Sequence, residues 1–279
     1  MLRFKTLCLA GIAATLSAGG AFAADMIGHP PPPPPPMVHA PPLDVGSGFY
    51  LRGDLGAGIY GHDKIDTRPS LLGLRSIDSS MEGTGFLGVG AGYQFNSFLR
   101  TDATIEYRLA SKHSHTDTYG PHVDPRYVGA SGGNYISGKI GGFVGLANVY
   151  VDLGTWHRIT PFVGAGIGFS SMTMSDTRDI NVVSGASVRG QDRTRTQLAW
   201  AVHAGLGYDL TSNLKAEVAY RYLHLGDQYS GNVTCPTAGS CPYRVKISGL
   251  HSHDIKFGLR YVFADAPVAY APGPLMRKY

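Results

Sequence analysis

Near its carboxyl-terminal end the chain alternates strictly between apolar side chains and polar residues or glycine. One face of residues 254–263 carries Ile255, Phe257, Leu259, Tyr261 and Phe263, and the other carries Asp254, Lys256, Gly258 and Arg260. A strand with this pattern suits a wall between lipid and a polar lumen. Because a bilayer tolerates no open sheet edge, the strand predicts a closed barrel, and the rest of the chain must then repeat the pattern.

The same pattern recurs in seven earlier segments. They are residues 49–60, 86–95, 98–109, 135–153, 161–174, 197–210 and 214–224. Period-two alternation over roughly ten residues, found eight times in all, predicts an all-β fold with a single eight-stranded antiparallel transmembrane β-barrel. The phase of the fourth segment slips near residues 147–149, which predicts a β-bulge there. Outward Tyr and Trp side chains are expected to form girdles at the two interfaces, namely Tyr93, Tyr107, Trp200, Tyr208, Tyr220, Tyr222 and Tyr261.

The connections between these segments alternate between short and long. Residues 96–97, 154–158 and 211–213 form tight turns. The long, polar connections are residues 61–83, 111–134, 175–195 and 227–250. Outer-membrane barrels have short periplasmic turns and longer external loops, so both termini are predicted to lie in the periplasm.

The first 23 residues have the composition of a secretory signal peptide. Arg3 and Lys5 precede a short apolar stretch, and Ala21 and Ala23 form a small-x-small cleavage site. Residues 24–47 include seven consecutive prolines, which adopt polyproline II and cannot join a sheet. We interpret them as a periplasmic linker, followed by the barrel at 48–263 and a Pro-containing periplasmic tail at 264–279. The Pro-rich termini are either tethers or contacts with the cell wall.

Net charge, hydrophobic segments and cysteines bear on the partners, the membrane topology and the compartment of the mature chain. Loss of the signal peptide lowers the net charge from +4 to about +2, so the composition does not indicate a nucleic-acid partner. No later segment has the run of about 20 apolar residues that a membrane-spanning helix needs. Cys235 and Cys241 are predicted to form a disulfide in an oxidising compartment, with two free thiols as the alternative.

Charged residues of both signs, in near balance, fall on the predicted inner face. They are Arg52, Asp54, Arg100, Asp102, Glu106, Arg108, Glu217, Arg221, Lys256 and Arg260. An eight-stranded barrel encloses just enough space for side chains to fill. Because unpaired buried charge is costly, these residues predict a paired network that plugs the lumen.

Inward glycines leave a second possibility open. The glycines are Gly56, Gly58, Gly88, Gly90, Gly92, Gly164, Gly166 and Gly168. They either leave a narrow water-filled ion path or make room for Phe143, Tyr60 and the arginine side chains.

Histidines concentrate on the side of the barrel predicted to be external. His113 and His115, and likewise His251 and His253, have a spacing that can place both rings on one side of a strand. They are weak metal candidates, because a metal needs three or four converging ligands. An enzyme acting on outer-leaflet lipid through His251, Ser252 and His253 is a remote alternative without an evident third partner. No metal site, catalytic residue or cofactor is predicted, whereas long polar loops on a rigid barrel suit adhesion.

Several motifs resemble one family. The closing strand resembles the assembly signal of bacterial outer-membrane barrels, carried here by Lys256, Gly258, Tyr261 and Phe263. Residues 148–154, 160–168, 207–210 and 220–223 are similar to opacity-protein-like, eight-stranded outer-membrane barrels of alphaproteobacteria, and the similarity spans residues 49–263. The chain departs from the usual signal in that Phe263 is not the last residue.

The resemblance implies a location and a class of function. It implies outer-membrane lipid as the surroundings and the barrel-assembly machinery as a partner during insertion. The expected function is that of a structural, surface-exposed barrel with a lumen largely filled by side chains, and not of an enzyme. The alternatives are a narrow porin-like channel for small solutes or ions, and a loop-borne adhesin or surface antigen.

Overall fold

The computed structural model describes residues 47–68, 75–119, 131–233 and 243–264. Within these ranges the chain forms β-strands joined by turns. The strands are β1 (Gly48–Gly61), β2 (Lys64–Arg68), β3 (Arg75–Met81), β4 (Gly83–Gln94), β5 (Leu99–Tyr119), β6 (Gly132–Asp152), β7 (Ile159–Asn181), β8 (Ser187–Arg189), β9 (Arg193–Asp209), β10 (Leu214–Tyr229) and β11 (Arg244–Ala264). No helix in the described part of the chain is long and apolar enough to cross a membrane.

Eight of the strands form a closed ring. The order is β1-β4-β5-β6-β7-β9-β10-β11, and each neighbouring pair is antiparallel. The ring closes because β11 also pairs with β1, from Gly48 opposite Ala264 to Gly61 opposite His251. The predicted eight-stranded antiparallel barrel is therefore confirmed. The three short strands prolong the wall at one end, where β2 pairs with β11, β3 with β5 and β8 with β7.

A belt of exposed apolar side chains surrounds the ring. Its members include Leu51, Leu55, Leu87, Val89, Ile105, Val163, Ile167, Leu198, Val202, Leu206, Val218, Ile255, Phe257 and Leu259. On β7 the outward apolar residues run from Ile159 to Phe169, and the next outward residues are Ser171 and Thr173. A tilted strand of about ten residues is the length that crosses a bilayer. An exposed apolar surface of this extent needs an apolar solvent, so the belt marks the membrane-spanning band.

Aromatic rings lie at the two edges of this band. At the edge of the short turns, the ring centroid of Tyr93 lies 4.9 Å from that of Phe49 and 5.1 Å from that of Phe95. At the other edge, Tyr107 and Phe143 have centroids 5.0 Å apart. Amphipathic rings in these positions match the interface girdles of membrane barrels.

Several strands continue beyond the band. Most of this part was predicted to be loop, whereas residues 135–142 and 170–174 were predicted to be strand. We call this part the strand extension; it comprises β2, β3, β8, residues 110–119 of β5, 132–142 of β6, 170–181 of β7, 193–197 of β9, 225–229 of β10 and 244–250 of β11. The long connections are correspondingly shorter than predicted. Most outward residues here are polar, as with Lys112, Ser114 and Thr116, which indicates that this part of the wall faces water and not lipid. Polar outward residues resemble loop sequence, but the backbone hydrogen bonds of a sheet do not require an apolar outer face.

The bulge predicted near residues 147–149 is wrong. The register of β6 with β5 and β7 is continuous there, and shifts occur instead between Arg108 and Ser111 of β5. Val144 and Leu146 are apolar but point inward, so the inner face changes its chemistry while the strand keeps its phase. Phe143, expected inside, points outward and is 49% exposed.

Candidate functional site

All ten charged residues predicted to face inward lie in the lumen, and none is more than 7% exposed. Asp152 and Asp254 join them, at 6% and 0% exposure. Among the described residues, this group holds six cations and six anions. Asp254 alternates in phase with Lys256, so its inward position could be predicted, but the sequence alone does not show which carboxylates take part in the pairing.

Arg52 is the hub of the half of the network nearer the short turns. Its Nη2 lies 2.8 Å from Asp54 Oδ1 and 3.2 Å from Glu217 Oε2, and its Nη1 lies 2.8 Å from Asp102 Oδ2. Arg260 Nε donates to Glu217 Oε1 at 2.8 Å. One guanidinium thus joins carboxylates from three strands of the ring, which fixes the strands against one another.

Arg100 lies between two aromatic rings. Its Cζ is 4.3 Å from the ring centroid of Tyr150 and 4.7 Å from that of Phe162. Its Nε donates to Asp152 Oδ1 at 3.1 Å, and its Nη1 lies 3.3 Å from Glu217 Oε1. The fully buried guanidinium is thus held by two carboxylates and two ring faces.

The other half of the network is centred on two arginines. Arg221 Nη2 lies 2.7 Å from both Glu106 Oε1 and Asp254 Oδ2. Arg108 Nη2 donates to Asp254 Oδ1 at 2.9 Å, and Arg108 Nε donates to the Tyr60 hydroxyl at 3.0 Å. These bonds join β1, β5, β10 and β11 across the full width of the lumen.

The inward glycines accommodate neighbouring side chains. A methyl group at Gly92 would lie 2.5 Å from Cζ of Tyr50, and one at Gly90 would lie 3.2 Å from Cγ of Arg52. A methyl group at Gly58 would overlap Asp254. The glycines therefore make room for the aromatic and charged residues that fill the lumen.

An apolar cluster fills the lumen where the membrane band meets the strand extension. The cluster consists of Tyr60, Ile65, Ile136, Ile140, Val144, Leu146, Met172, Met174, Ala199, Ala201, Leu223, Leu225, Val245, Ile247 and Leu250. Met172 and Met174 flank the outward Thr173, so this part alternates as a water-soluble barrel does, with apolar residues inside. The inverted alternation is the sequence signal that could have revealed these strands.

The two His-x-His pairs lie on opposite sides of the wall. His113 and His115 point into the strand extension, whereas His251 and His253 point outward at the edge of the membrane band. The described residues contain no group of three His, Cys, Asp or Glu side chains placed to hold a metal ion. Ser252 points inward, where it accepts from Arg108 and donates to Asp254. The wall therefore separates Ser252 from both histidines, and the lipid-modifying alternative has no assembled site.

Buried polar groups accompany the apolar core of the strand extension. His113 is 2% exposed, and neither ring nitrogen has a hydrogen-bond partner among the described residues. Burial, together with the nearby His62 and His115, lowers the pKa of His113 to about 4. Burial raises the pKa of Asp179 to about 6, although Tyr243 donates a hydrogen bond to its carboxylate.

The remaining predicted site residues lie on β11 or outside the described residues. Lys256 and Gly258 face the lumen, and Lys256 Nζ lies 3.4 Å from Asp54 Oδ2. Tyr261 and Phe263 face outward with centroids 5.0 Å apart. Cys235 and Cys241 lie outside the described residues, so their disulfide stays a prediction.

Comparison with known proteins agrees with this architecture. Residues 36–263 match the family described as "Outer membrane protein beta-barrel domain". An uncharacterized protein of Brucella suis biovar 1 (strain 1330) is 32% identical over 209 residues, which cover 67% of this chain and 71% of that protein. A Rickettsia bellii (strain OSU 85-389) protein named "Putative adhesin" is 30% identical over 217 residues, covering 76% of this chain and 87% of its own length. The crystal structure of the outer membrane protein OprG from Pseudomonas aeruginosa aligns with a TM-score of 0.46 at 16% identity, covering 78% of this chain and 97% of that one.

Replacing one hub cation should destabilise the barrel strongly. Arg221→Met leaves Glu106 and Asp254 short of a counter-charge, and breaking a buried pair costs about 3–5 kcal/mol. The double variant Arg221→Met/Glu106→Gln should recover part of the loss, because one unpaired carboxylate is removed. The measurement is the free energy of unfolding in urea of protein refolded in lipid vesicles. A loss below about 1 kcal/mol for Arg221→Met would mean that the pairing does not hold the barrel.

Acidification should loosen the strand extension. The folded-state pKa of His113 is about 4, below its ordinary value of 6.5. The folded state therefore keeps its full stability with respect to His113 above pH 6.5 and loses stability as the pH falls towards 4. At pH 5 the contribution of His113 alone should be a loss of about 2 kcal/mol in the free energy of unfolding. Asp179 acts in the opposite sense, because its raised pKa favours the folded state at lower pH. Amide hydrogen exchange of residues 113–117 at pH 7 and pH 5, corrected for the intrinsic rate, measures the loss. His113→Met should flatten the response, and an unchanged pH response in that variant would exclude His113 as its source.

Proposed function

This chain belongs to the outer membrane β-barrel family, and we propose that it is a structural, surface-exposed barrel whose lumen is closed by its own side chains. The observation that carries the proposal is the filling of the lumen in two layers. Ion pairs around Arg52 and Arg221 fill the lumen of the membrane band, and the apolar cluster fills the lumen from the edge of that band into the strand extension. Proteins of this family lie in the bacterial outer membrane, which provides the lipid that the exposed apolar belt requires.

The porin-like alternative meets two barriers in this arrangement. An ion moving along the lumen must first displace paired charges that already satisfy one another. It must then cross an apolar core in which Met172, Leu223 and Leu250 are fully buried. An apolar constriction excludes water and therefore closes a channel to ions.

The proposal includes a direction of insertion. We place the strand extension outside the cell and the short turns in the periplasm, in keeping with the usual asymmetry of such barrels. Both termini then lie in the periplasm, with residues 1–23 removed as a signal peptide. Residues 24–47 and 264–279 would remain as a linker and a tail, either as periplasmic tethers or in contact with the cell wall. Lys256, Gly258, Tyr261 and Phe263 would be presented to the assembly machinery. The role involves no catalysis, cofactor or nucleic acid.

Planar-bilayer recording tests the closed lumen. We expect folded protein, verified by its heat-modifiable migration, to produce no discrete conductance steps, because charge pairs and the apolar core fill the path. A porin inserted in the same bilayers serves as the positive control. Reproducible steps from this protein would show a water path and support the porin-like alternative instead.

Adhesion is the second candidate function. The relative named "Putative adhesin" supports it, as does the rigid wall that the strand extension adds beyond the membrane band. Its far end carries exposed apolar side chains, with Val182 60% and Val183 69% exposed between β7 and β8. Such side chains have no role in the core and are available to a partner.

The adhesion candidate predicts a loss of binding from that end of the molecule. We expect Val182→Ser/Val183→Ser to reduce attachment to host cells about fivefold or more when the full chain is produced in a non-adherent bacterium, since central apolar contacts dominate interface energies. Trp156→Ser is the matched control, because Trp156 is 59% exposed at the opposite end of the barrel. Equal attachment of both variants and the parent would remove this end from consideration.

A further inference from the structure

The outer wall of the strand extension contains a shallow depression beside the membrane band. It has a volume of about 420 Å³ and crosses β3, β5, β6 and β7. Its lining includes Ser80, Lys112, Ser137, Lys139, Asp176 and Arg178. Lys112, Lys139 and Arg178 occupy outward positions of their strands, so the depression opens to the side of the barrel.

Positive charge is concentrated at this depression through two pairs of like residues. Lys112 of β5 lies directly opposite Lys139 of β6, and Arg178 of β7 lies directly opposite Arg189 of β8. Like charges directly opposite each other destabilise a sheet. The fold therefore gains nothing from this arrangement, which we call the cationic stripe: Lys112, Lys139, Arg178 and Arg189.

Neighbouring carboxylates neutralise the cationic stripe only in part. Lys139 Nζ lies 2.7 Å from Asp176 Oδ2, and both side chains are well exposed, so the pair contributes little. Glu82 also lines the depression. Asp176 also interacts electrostatically with Arg178 and Arg189. Within the described ranges Lys112, Arg178 and Arg189 form no direct ion pair, so the stripe keeps a net positive charge.

The height of the two lysines above the membrane band can be estimated from the outward residues that precede them on the same strands. The outward rings of Tyr107 and Phe143 mark the edge of the band on the same two strands. Lys139 lies four residues beyond Phe143, a rise of about 10 Å for a strand tilted by about 40°. Lys112 lies three residues beyond the exposed Leu109. The lysine stems can bend down along the wall, so their ammonium groups reach the layer of lipid headgroups.

We propose that the cationic stripe binds the phosphate groups of outer-leaflet lipid headgroups. This inference rests on the direction of insertion given under the proposed function. A lipid is favoured over a soluble polyanion because Lys112 and Lys139 face sideways near headgroup height, with Arg178 lining the same depression further from the band. Two sets of basic side chains flanking one depression also suit a headgroup with more than one phosphate.

A binding measurement on folded protein in nonionic detergent tests this proposal. Native mass spectrometry would compare retention of diphosphorylated lipid A with retention of the same lipid after dephosphorylation. Lys112→Gln/Lys139→Gln should reduce the preference for the phosphorylated lipid about tenfold or more, since each basic residue near an anionic surface contributes substantially. The same variant should unfold no more readily than the parent, because it relieves a like-charge pair.

The matched control removes two lysines from the opposite wall. Lys64 and Lys246 lie on β2 and β11 and have their own partners in Asp66 and Asp227, at 2.8 Å and 2.7 Å. Lys64→Gln/Lys246→Gln should keep the phosphate preference to within about twofold, because these lysines lie on β2 and β11 and do not line the depression. Arg178→Gln/Arg189→Gln provides a second test of the stripe if the first variant does not fold.

Each outcome decides for or against the proposal. A preference lost in the stripe variants and kept in the control supports it. Equal retention by all variants overturns it, as does tight binding of a sulfated polysaccharide with no binding of lipid. Competition by millimolar inorganic phosphate, with no lipid preference, would reduce the stripe to a free-anion site and also overturn it. The proposed closed lumen is read separately from conductance, so either idea can fail alone.

Discussion

Charge pairing inside the lumen is the interaction on which the rest of this structure depends. The wall of the membrane band is apolar outside and encloses six cations and six anions, so the charges must satisfy one another. Each hub joins strands distant in the chain: Arg52 of β1 contacts Asp102 of β5 and Glu217 of β10. The network therefore fixes the relative positions of the strands and also closes the lumen. Buried ion pairs can specify one arrangement, because any other arrangement would leave a buried charge unpaired.

The glycines and the apolar core follow from this constraint. A ring of eight strands has an interior only wide enough for side chains, and arginine and tyrosine fit because facing positions carry no Cβ. Beyond the band, water replaces lipid outside, and the inner face no longer has to be polar. Ile140, Met172 and Leu223 then stabilise the wall by the hydrophobic effect, as in a soluble protein. One continuous barrel thus has an apolar outside and a charged inside in the membrane band, and a polar outside and an apolar inside beyond it.

The change from lipid to water outside the barrel explains which parts of the structure could be predicted from the sequence. The alternation of residues such as Leu55 and Asp54 could be assigned to faces because lipid demands apolar residues on the outside. The residues at the ends of β5, β6 and β7 could not be assigned to faces in this way. In Met172-Thr173-Met174 the apolar residues face the lumen and the polar residue faces outward, the reverse of the pattern in the membrane band. For the same reason, inward Val144 and Leu146 suggested a phase slip that does not exist. Which carboxylate pairs with which arginine depends on the stagger between strands, and alternation within one strand carries no information about stagger.

A filled lumen also determines where recognition can occur. Residues that hold the strands together through charge pairs or core packing cannot change partners without loss of stability, so the interior has little freedom to bind anything else. The outer wall of the strand extension is under no such constraint, because neither lipid nor a core dictates its side chains. Unfavourable pairs such as Lys112 with Lys139 are tolerated there at small cost, since exposed charges are screened by solvent. Positions that bring the fold no gain, on an otherwise unconstrained surface, are where binding by this barrel is to be sought.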